Sequence, residues 1–372
     1  MASHLLIVAQ GIDGGIAPLA SMLAHELKRQ GWKCTVRYVG RPVPSKFVGI
    51  DRASGIDSEA IATGKARTLS EVIGLLRSII PIWRITLKQR PTAIIVAGFI
   101  PALLYPALLR PFTKAMLVFW DHGPQNTFRK TKSFAFPLPL KCIDKIVSIS
   151  PSTAFAMTEY FGVSPNKITT IPNGVEPTRW LNLPPAPDLS MLRIIMPARF
   201  DLNQKDQITL IKAAALLRRQ GVPIEVTLLG SGVDEGRIVQ VIKDEAAQDY
   251  VRLVAHSDDV PSFVAANNVL CLSTKFEGLP TSVIEGLLAR RVVVAAKVAG
   301  CVDVIRDGIN GFLFEAGSVE NCAHKLSALQ NMFEIPQIIE EAFQEAIALY
   351  TPQSMVTSFK RILPVNTNTL KA

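Results

Sequence analysis

The chain has 372 residues, enough for two domains of ordinary size, and its 48% hydrophobic content is ample for two buried cores. The formal net charge of +9 is concentrated in the first half: residues 1–185 hold 22 Lys and Arg against 10 Asp and Glu, whereas residues 186–372 hold 18 against 21. The five cysteines are scattered, with no Cys-x-x-Cys motif and no paired histidines, which excludes a disulfide framework and a zinc site and indicates a reducing cytoplasm.

The first half alternates short apolar runs with segments of helical periodicity. The first run, 5–9, is too short for a signal peptide and lacks a basic segment before it, so it is predicted as a strand. Prolines interrupt the uncharged stretch 91–109, which favours a strand and a short helix over a membrane span. The predicted strands are 5–9, 34–39, 93–97, 115–120, 146–150 and 168–171, and the predicted helices are 18–31, 68–87 and 153–161. This alternation indicates a parallel sheet with helices on both faces.

A proline-rich segment, 182–192, separates this half from a second one with the same alternation. The predicted strands of the second half are 193–198, 225–229, 251–254, 269–272, 292–295 and 311–314, and the predicted helices are 207–220 and 236–246. The sequence therefore predicts an α/β protein with two Rossmann-like domains, 1–181 and 193–345, whose sheets face each other across a ligand-binding cleft. Residues 346–372 are predicted as a helical tail.

Residues 273–287 combine a strand end, a loop and a helix start. Glu277 lies in the loop, and Glu285 lies inside the helix that follows. Pro280 suits the first helical turn, and Thr281 or Ser282 suits the cap. Because free N–H groups at a helix start favour a bound phosphate, a carboxylate beside them is the layout expected of a sugar-nucleotide site.

Cationic and polar residues follow two other predicted strands. Arg199 and Lys205, six residues apart, can converge on a diphosphate leaving group and offset its growing negative charge. His122 follows the strand 115–120, at the edge of the sheet where ligands bind. Asp258 and Asp259 precede a Val-Pro pair and a helix, so we interpret them as a helix cap and predict no metal and no other cofactor.

Glycines follow the first strand of each half. Gly14 and Gly15 stand between the first strand and the first helix, where they could let the backbone approach a phosphate or could form only a tight turn. Gly230 and Gly232 form a Gly-x-Gly turn after the strand 225–229. That turn alone is weak evidence, because any tight strand-to-helix connection has the same pattern.

The Glu-x7-Glu spacing, set in this strand–loop–helix context with Phe-Glu-Gly-Leu-Pro, resembles the signature of the retaining, GT-B-fold glycosyltransferases of family 4. The resemblance implies that Glu277 faces the donor sugar and that Glu285 holds the ribose hydroxyls of the nucleotide. It also implies that the backbone between them holds the diphosphate, at Gly278, Leu279, Pro280 and Thr281.

The resemblance extends to the other loops. It implies that Gly14 and Gly15 face the donor phosphates, that the turn of Gly230 and Gly232 belongs to the donor domain, and that His122 contacts the donor sugar or the leaving phosphate. It further implies that the last helix crosses back onto the first domain. The chain departs from the family after Lys205, where Asp206 replaces the usual glycine, and at residues 300–303, where the sequence is Gly-Cys-Val-Asp.

We therefore expect a retaining, metal-independent hexosyltransferase that moves a hexose from a nucleotide diphosphate sugar to a hydroxyl acceptor in polysaccharide biosynthesis. The basic first half favours a lipid-linked saccharide as acceptor and an anionic membrane surface on the cytoplasmic side, and no nucleic-acid recognition motif is present. Segments 75–83 and 128–141 mix apolar and basic side chains. This mixture fits contact with such a membrane surface and packing in the domain core equally well. Two alternatives are a GT-B sugar-nucleotide epimerase and a catalytically silent protein that binds nucleotide sugars.

Overall fold

The computed structural model describes residues 3–10, 15–40, 45–62, 69–123 and 137–364. The chain divides into two units: Met1–Gly174 together with Pro352–Ala372, and Val175–Thr351. The sequence prediction ends the first domain at residue 181 and begins the tail at residue 346, whereas the structure groups residues 175–181 and 346–351 with the second unit.

The first unit is built on a parallel sheet with seven strands in the described residues, in the order β3-β2-β1-β4-β5-β6-β7. The strands are β1 His4–Gln10, β2 Lys33–Gly40, β3 Asp57–Ala62, β4 Ala93–Ala97, β5 Met116–Asp121, β6 Lys145–Ser148 and β7 Ile168–Thr170. The helices are α1 Ile16–Arg29, α2 Ser45–Ala53, α3 Leu69–Gln89, α4 Phe99–Leu109, α5 Pro137–Lys141 and α6 Pro151–Phe161, with 3-10 helices at Arg110–Phe112 and Pro165–Lys167.

Strand β1 shows why this sheet has helices on both faces. All of its residues are buried, and its apolar run from Leu5 to Ala9 does not alternate with polar residues. One face of the sheet packs in a core that includes Ile82 of α3, Tyr105 of α4 and Met157 of α6. The burial of these side chains is the main stabilising contribution to the unit.

The register of the sheet brings the carboxyl ends of its central strands to one edge. Ala97 of β4 lies opposite Trp120 of β5, and Asp121 lies opposite Ser148 of β6. His122 follows directly, so it lies at the edge where open α/β sheets bind ligands.

Strand β3, at one edge of the sheet, and the helices α2 and α5 of the first unit were not predicted from the sequence. Strand β3 begins with Asp57, Ser58 and Glu59, so it has no apolar alternation to reveal it. Arg37 of β2 holds this edge, with its guanidinium 3.0 Å from an Asp57 carboxylate oxygen and 3.5 Å from a Glu59 oxygen.

Helix α2 carries a buried carboxylate, Asp51, that joins four elements. Its side chain is 0% exposed. Its oxygens lie within hydrogen-bond distance of the side chains of Ser21, His25, Tyr38 and Ser58. A buried charge requires such a complete set of partners, so Asp51 fixes α1, α2, β2 and β3 together.

The second unit repeats the architecture, with the strand order β10-β9-β8-β11-β12-β13. The strands are β8 Leu192–Pro197, β9 Ile224–Leu229, β10 Val251–Val254, β11 Val269–Leu272, β12 Val292–Ala296 and β13 Phe312–Phe314. The helices are α7 Thr178–Leu181, α8 Gln207–Arg219, α9 Glu235–Asp244, α10 Val260–Ala265, α11 Thr281–Leu288, α12 Val319–Ala328 and α13 Ile335–Leu349, with a 3-10 helix at Leu329–Asn331. Its strands are parallel, so the prediction of two Rossmann-like α/β domains is confirmed.

The final helix, α14 Pro352–Ile362, belongs to the first unit, as expected of the last helix. Phe359 packs edge-on against Trp120, with 4.9 Å between ring centroids. Lys360 Nζ donates to Gln30 Oε1 at the end of α1, at 2.9 Å. Among the described residues, no helix has both the length and the apolar character needed to cross a membrane.

Candidate active site

Glu277 and Glu285 lie on either side of the start of α11. Glu277 is in the loop after β11, and Glu285 is in the second turn of the helix. Pro280 occupies the N-cap position instead of the first turn, and neither Thr281 nor Ser282 acts as the cap. Among the described residues, no side chain caps the start of α11.

Glu277 forms an ion pair with Lys205, and both side chains are almost buried, at 7% and 12% exposure. Thr274 Oγ1 donates to the same carboxylate oxygen of Glu277 at 2.9 Å. The backbones of Lys205 and Thr274 form an antiparallel bridge, which brings the loop after β8 against the end of β11. Two segments 72 residues apart in sequence therefore meet at this pair.

Gln204 links the second cation to this pair, and sequence reasoning missed it. An Arg199 guanidinium nitrogen donates to Gln204 Oε1 at 3.2 Å. Gln204 Nε2 lies 3.4 Å from Glu277 Oε2 and 3.3 Å from the Phe276 carbonyl. The two cations are thus connected through a neutral amide, a link that no sequence motif signals, and their convergence on a diphosphate stays a prediction.

Glu285 lies in a different electrostatic setting. Burial raises its pKa to about 7, and the positive charge of Arg179 on α7 offsets only part of that effect. Arg179 itself donates to the Asp258 carbonyl at 2.5 Å. Near neutral pH, the protonated form of Glu285, which can donate a hydrogen bond, and the ionised form, which only accepts, are therefore both populated.

Gly230 and Gly232 are explained by close backbone packing in the second unit. A Cβ atom on Gly230 would lie 2.1 Å from the Ala198 carbonyl oxygen, and one on Gly232 would lie 2.2 Å from the Phe200 carbonyl oxygen. Both glycines are thus required for the turn after β9 to contact the loop after β8. Contact between this turn and a ligand stays a prediction.

A third glycine, Gly300, packs closely against the loop between Glu277 and α11. Its φ of +83° lies in the region that favours glycine, and a Cβ there would lie 2.9 Å from Glu277 Cβ and from the Gly278 carbonyl oxygen. Leu279, in the same loop as Glu277, is buried. The next residue, Cys301, is fully buried.

His122 lies in the first unit, at the carboxyl edge of its sheet. Its ring packs at a tilt of 45° against that of Trp120, with 4.6 Å between centroids. Burial lowers the pKa of His122 to about 3, so the imidazole is neutral at physiological pH. Its Nε2 atom is enclosed and has no hydrogen-bond partner in the part of the chain that the structure describes.

The predicted glycine loop of the first unit is described only at Gly15, since Gly14 lies outside the described residues. Gly15 precedes α1, and a Cβ atom there would meet nothing within 4 Å. The contact of this loop with a donor phosphate stays a prediction.

Asp259 caps α10, as interpreted from the sequence: its carboxylate accepts from Ser262 N at 3.4 Å. In the described residues, no group of three or more His, Cys, Asp or Glu side chains is placed to hold a metal ion.

Two family models match adjoining parts of the chain. One, described as "Glycosyl transferases group 1", matches residues 192–331, and the other, "Glycosyltransferase Family 4", matches residues 13–179. Together they cover most of both units. The chain belongs to the GT-B glycosyltransferases of group 1, family 4.

Relatives of this glycosyltransferase agree with that assignment. The chain is 23% identical over 360 residues to an uncharacterized glycosyltransferase of Haemophilus influenzae, covering 95% of this chain and 97% of that protein. It is 28% identical over 136 residues to the lipopolysaccharide core biosynthesis glycosyltransferase LpsE of Rhizobium meliloti, covering 37% of this chain and 39% of that protein. Most of the curated relatives are matched over less than two thirds of their own length.

A solved structure shows the same fold. The crystal structure of Anabaena Alr3699/HepE in complex with UDP and glucose has a TM-score of 0.79 and 17% identity, over 97% of this chain and 99% of that one. The family models and these relatives give no support to the epimerase alternative for this glycosyltransferase.

Proposed function

We propose that this glycosyltransferase is a retaining hexosyltransferase that transfers a hexose from a nucleotide diphosphate sugar to a hydroxyl acceptor. The observation that carries the proposal is the cluster of Arg199, Gln204, Lys205 and Glu277 in the second unit. Two cations beside one carboxylate, next to an uncapped helix, suit a diphosphate joined to a sugar. The second unit would therefore bind the donor.

Each side chain of the cluster has a separate task in the proposed reaction. Breaking the bond between the sugar and the phosphate leaves negative charge on the phosphate oxygen, which Arg199 and Lys205 stabilise. When the diphosphate takes Lys205, the Glu277 carboxylate is released to accept hydrogen bonds from the sugar. On the same face of the sugar, the leaving phosphate takes the proton of the acceptor hydroxyl while the acceptor oxygen forms the new bond to the anomeric carbon, so the configuration is retained.

Glu285 and His122 have supporting tasks. Glu285, with its pKa near 7, would accept hydrogen bonds from the ribose hydroxyls in its ionised form. His122 is neutral at physiological pH, so it would contribute a hydrogen bond to the reaction centre instead of a charge. The predicted contacts of Gly14, Gly15, Gly230 and Gly232 with the donor belong to the same proposal, as does catalysis without a metal ion.

The acceptor is proposed to be a lipid-linked precursor of a polysaccharide, bound by the basic first unit on the cytoplasmic side of a membrane. The excess of cations in residues 1–185 supports an anionic acceptor such as a lipid pyrophosphate. The similarity to LpsE, named for lipopolysaccharide core biosynthesis, supports the same class of pathway.

Release of nucleotide diphosphate from a panel of nucleotide sugars tests the proposal. The panel starts with UDP-glucose, and a total lipid extract supplies acceptors. Glu277→Ala and Lys205→Ala should each lower turnover by about 100-fold or more. The matched control is Lys325→Ala, which removes a lysine from an ion pair with Asp307 elsewhere in the same unit. Variants of Glu277 and Lys205 that keep the wild-type rate would overturn the site assignment.

A further inference from the structure

Helix α3 exposes a row of large apolar side chains in the first unit. Ile80, Trp83 and Leu87 are 50%, 36% and 46% exposed, and their spacing of three and four residues places them on one face of the helix. Phe112 of the neighbouring 3-10 helix is 50% exposed, and its ring packs edge-on against Trp83, with 4.9 Å between centroids. We call these four residues the apolar patch.

Basic side chains border the apolar patch. Arg77, Arg84 and Lys88 are exposed on the same side of α3, and Lys114 is exposed just after the 3-10 helix. The stretch 72–120 contains no Asp or Glu. None of these four cations forms an ion pair among the residues that the structure describes. We call these four cations the basic border.

We propose that the apolar patch and its basic border form a surface that docks on an anionic lipid bilayer. A helix with Trp, Ile and Leu on one face and Arg and Lys beside them lies in the plane of the membrane interface, with the rings at headgroup level. The cations then meet anionic headgroups within a Debye length of the surface. The face from Arg77 to Lys88 is roughly 16 Å long, so the helix can lie flat on the bilayer.

The charge of this face argues for lipid over a second copy of the chain. A symmetric contact between two copies uses the same surface on both. The basic border of one copy would therefore meet that of the other, with no acidic side chain from 72–120 to compensate. An anionic bilayer supplies the missing negative charge.

This inference deepens the proposed function, because a lipid-linked acceptor would be met at the same surface, but its test does not depend on catalysis. The full chain is sedimented with vesicles of phosphatidylcholine alone and of phosphatidylcholine mixed with phosphatidylglycerol, at low and high salt. Two variants are compared with wild type: Trp83→Ser, and Arg84→Gln combined with Lys88→Gln.

Each control makes the same kind of substitution at a position outside the apolar patch and the basic border. Phe155→Ser removes an aromatic side chain that is 61% exposed on α6. Arg237→Gln combined with Lys243→Gln removes two exposed cations from α9 of the second unit. Every protein is also assayed for release of nucleotide diphosphate from UDP-glucose with water as acceptor. None of the changed residues belongs to the proposed donor site, so this release should be equal in all.

We expect wild type to bind the anionic vesicles, more weakly at high salt. The partition coefficient should fall roughly 20-fold for the double charge variant and about tenfold for Trp83→Ser, while both controls bind as wild type does. Equal binding by patch variants and wild type, or no binding by wild type, would overturn the inference. So would a self-associating wild type that becomes monomeric in the patch variants without binding vesicles. Failure of the proposed function would appear separately, as no release of nucleotide by any protein.

Discussion

The buried carboxyl of Asp121 should make the stability of the first unit depend on pH. Its side chain is 1% exposed. Its Oδ1 accepts from Gly123 N at 2.9 Å, and its Oδ2 has no partner among the described residues. Burial raises the pKa of Asp121 from the ordinary 3.8 to about 7, and the hydrogen bond from Gly123 only partly offsets this. Between pH 4 and 7 the folded chain therefore keeps a proton that the unfolded chain has released.

Because the folded form binds more protons in that range, the free energy of unfolding falls as the pH rises. The slope reaches ~1.4 kcal/mol per pH unit, and the loss levels off above pH 7. Asp121→Asn keeps an acceptor for Gly123 but cannot ionise. We therefore expect the stability of the variant relative to wild type to rise by about 3 kcal/mol between pH 5 and pH 8.

Urea unfolding curves at four pH values across this range, for wild type and variant, measure the difference. Glu159→Gln is the control, because it neutralises an exposed carboxylate on α6 of the same unit and should leave the pH dependence unchanged. A stability difference between Asp121→Asn and wild type that is the same at every pH would refute the reasoning.

Three further predictions concern the second unit. Lys205→Met removes the cation that pairs with the almost buried Glu277 carboxylate, so it should lower the free energy of unfolding by about 3 kcal/mol. Adding Glu277→Gln to the same chain should restore most of this loss. Denaturant titration of the single and double variants measures both effects. Gln204→Ala should lower kcat about tenfold with little change in KM, because it removes a positioning group, and steady-state assays that find only a higher KM would contradict this role. Gly230→Ala should lower the free energy of unfolding by ~3 kcal/mol or more, because the added Cβ would lie 2.1 Å from a carbonyl oxygen. Gly236→Ala in α9 adds a Cβ with nothing within 4 Å, so it should raise the free energy of unfolding by ~0.5 kcal/mol or more. Thermal unfolding of both variants measures the two opposite effects.

The apolar strands of this fold are readily predicted because each is a short run of buried residues. Strand β1 and strand β11 both appear in the sequence as uninterrupted apolar segments, and parallel sheets produce such segments. The polar edge strand β3 does not. Its position depends on Arg37 pairing with Asp57 and Glu59, and such pairing has no periodicity to detect.

Part of the candidate site could also be predicted from the sequence, and part could not. The residue types of Lys205 and Glu277 indicate a phosphate beside a sugar, so the sequence could name them as members of one site. The amide link through Gln204 could not be predicted, because it depends on loops that meet only after folding. The same is true of Asp121, since only the folded sheet shows that this carboxyl is buried.

The pairing of charges in the free chain determines how the proposed donor site would have to work. Lys205 is almost buried and paired with Glu277, whereas Arg199 is exposed to solvent and donates a hydrogen bond to Gln204. Such pairing fixes the side chains before the donor arrives, which lowers the cost of orienting them during the reaction. In the proposed reaction the diphosphate would have to compete with Glu277 for Lys205, and its larger negative charge would favour it over one carboxylate. The carboxylate freed by this exchange would then be beside the sugar, so binding of the phosphate and positioning of Glu277 would be a single event.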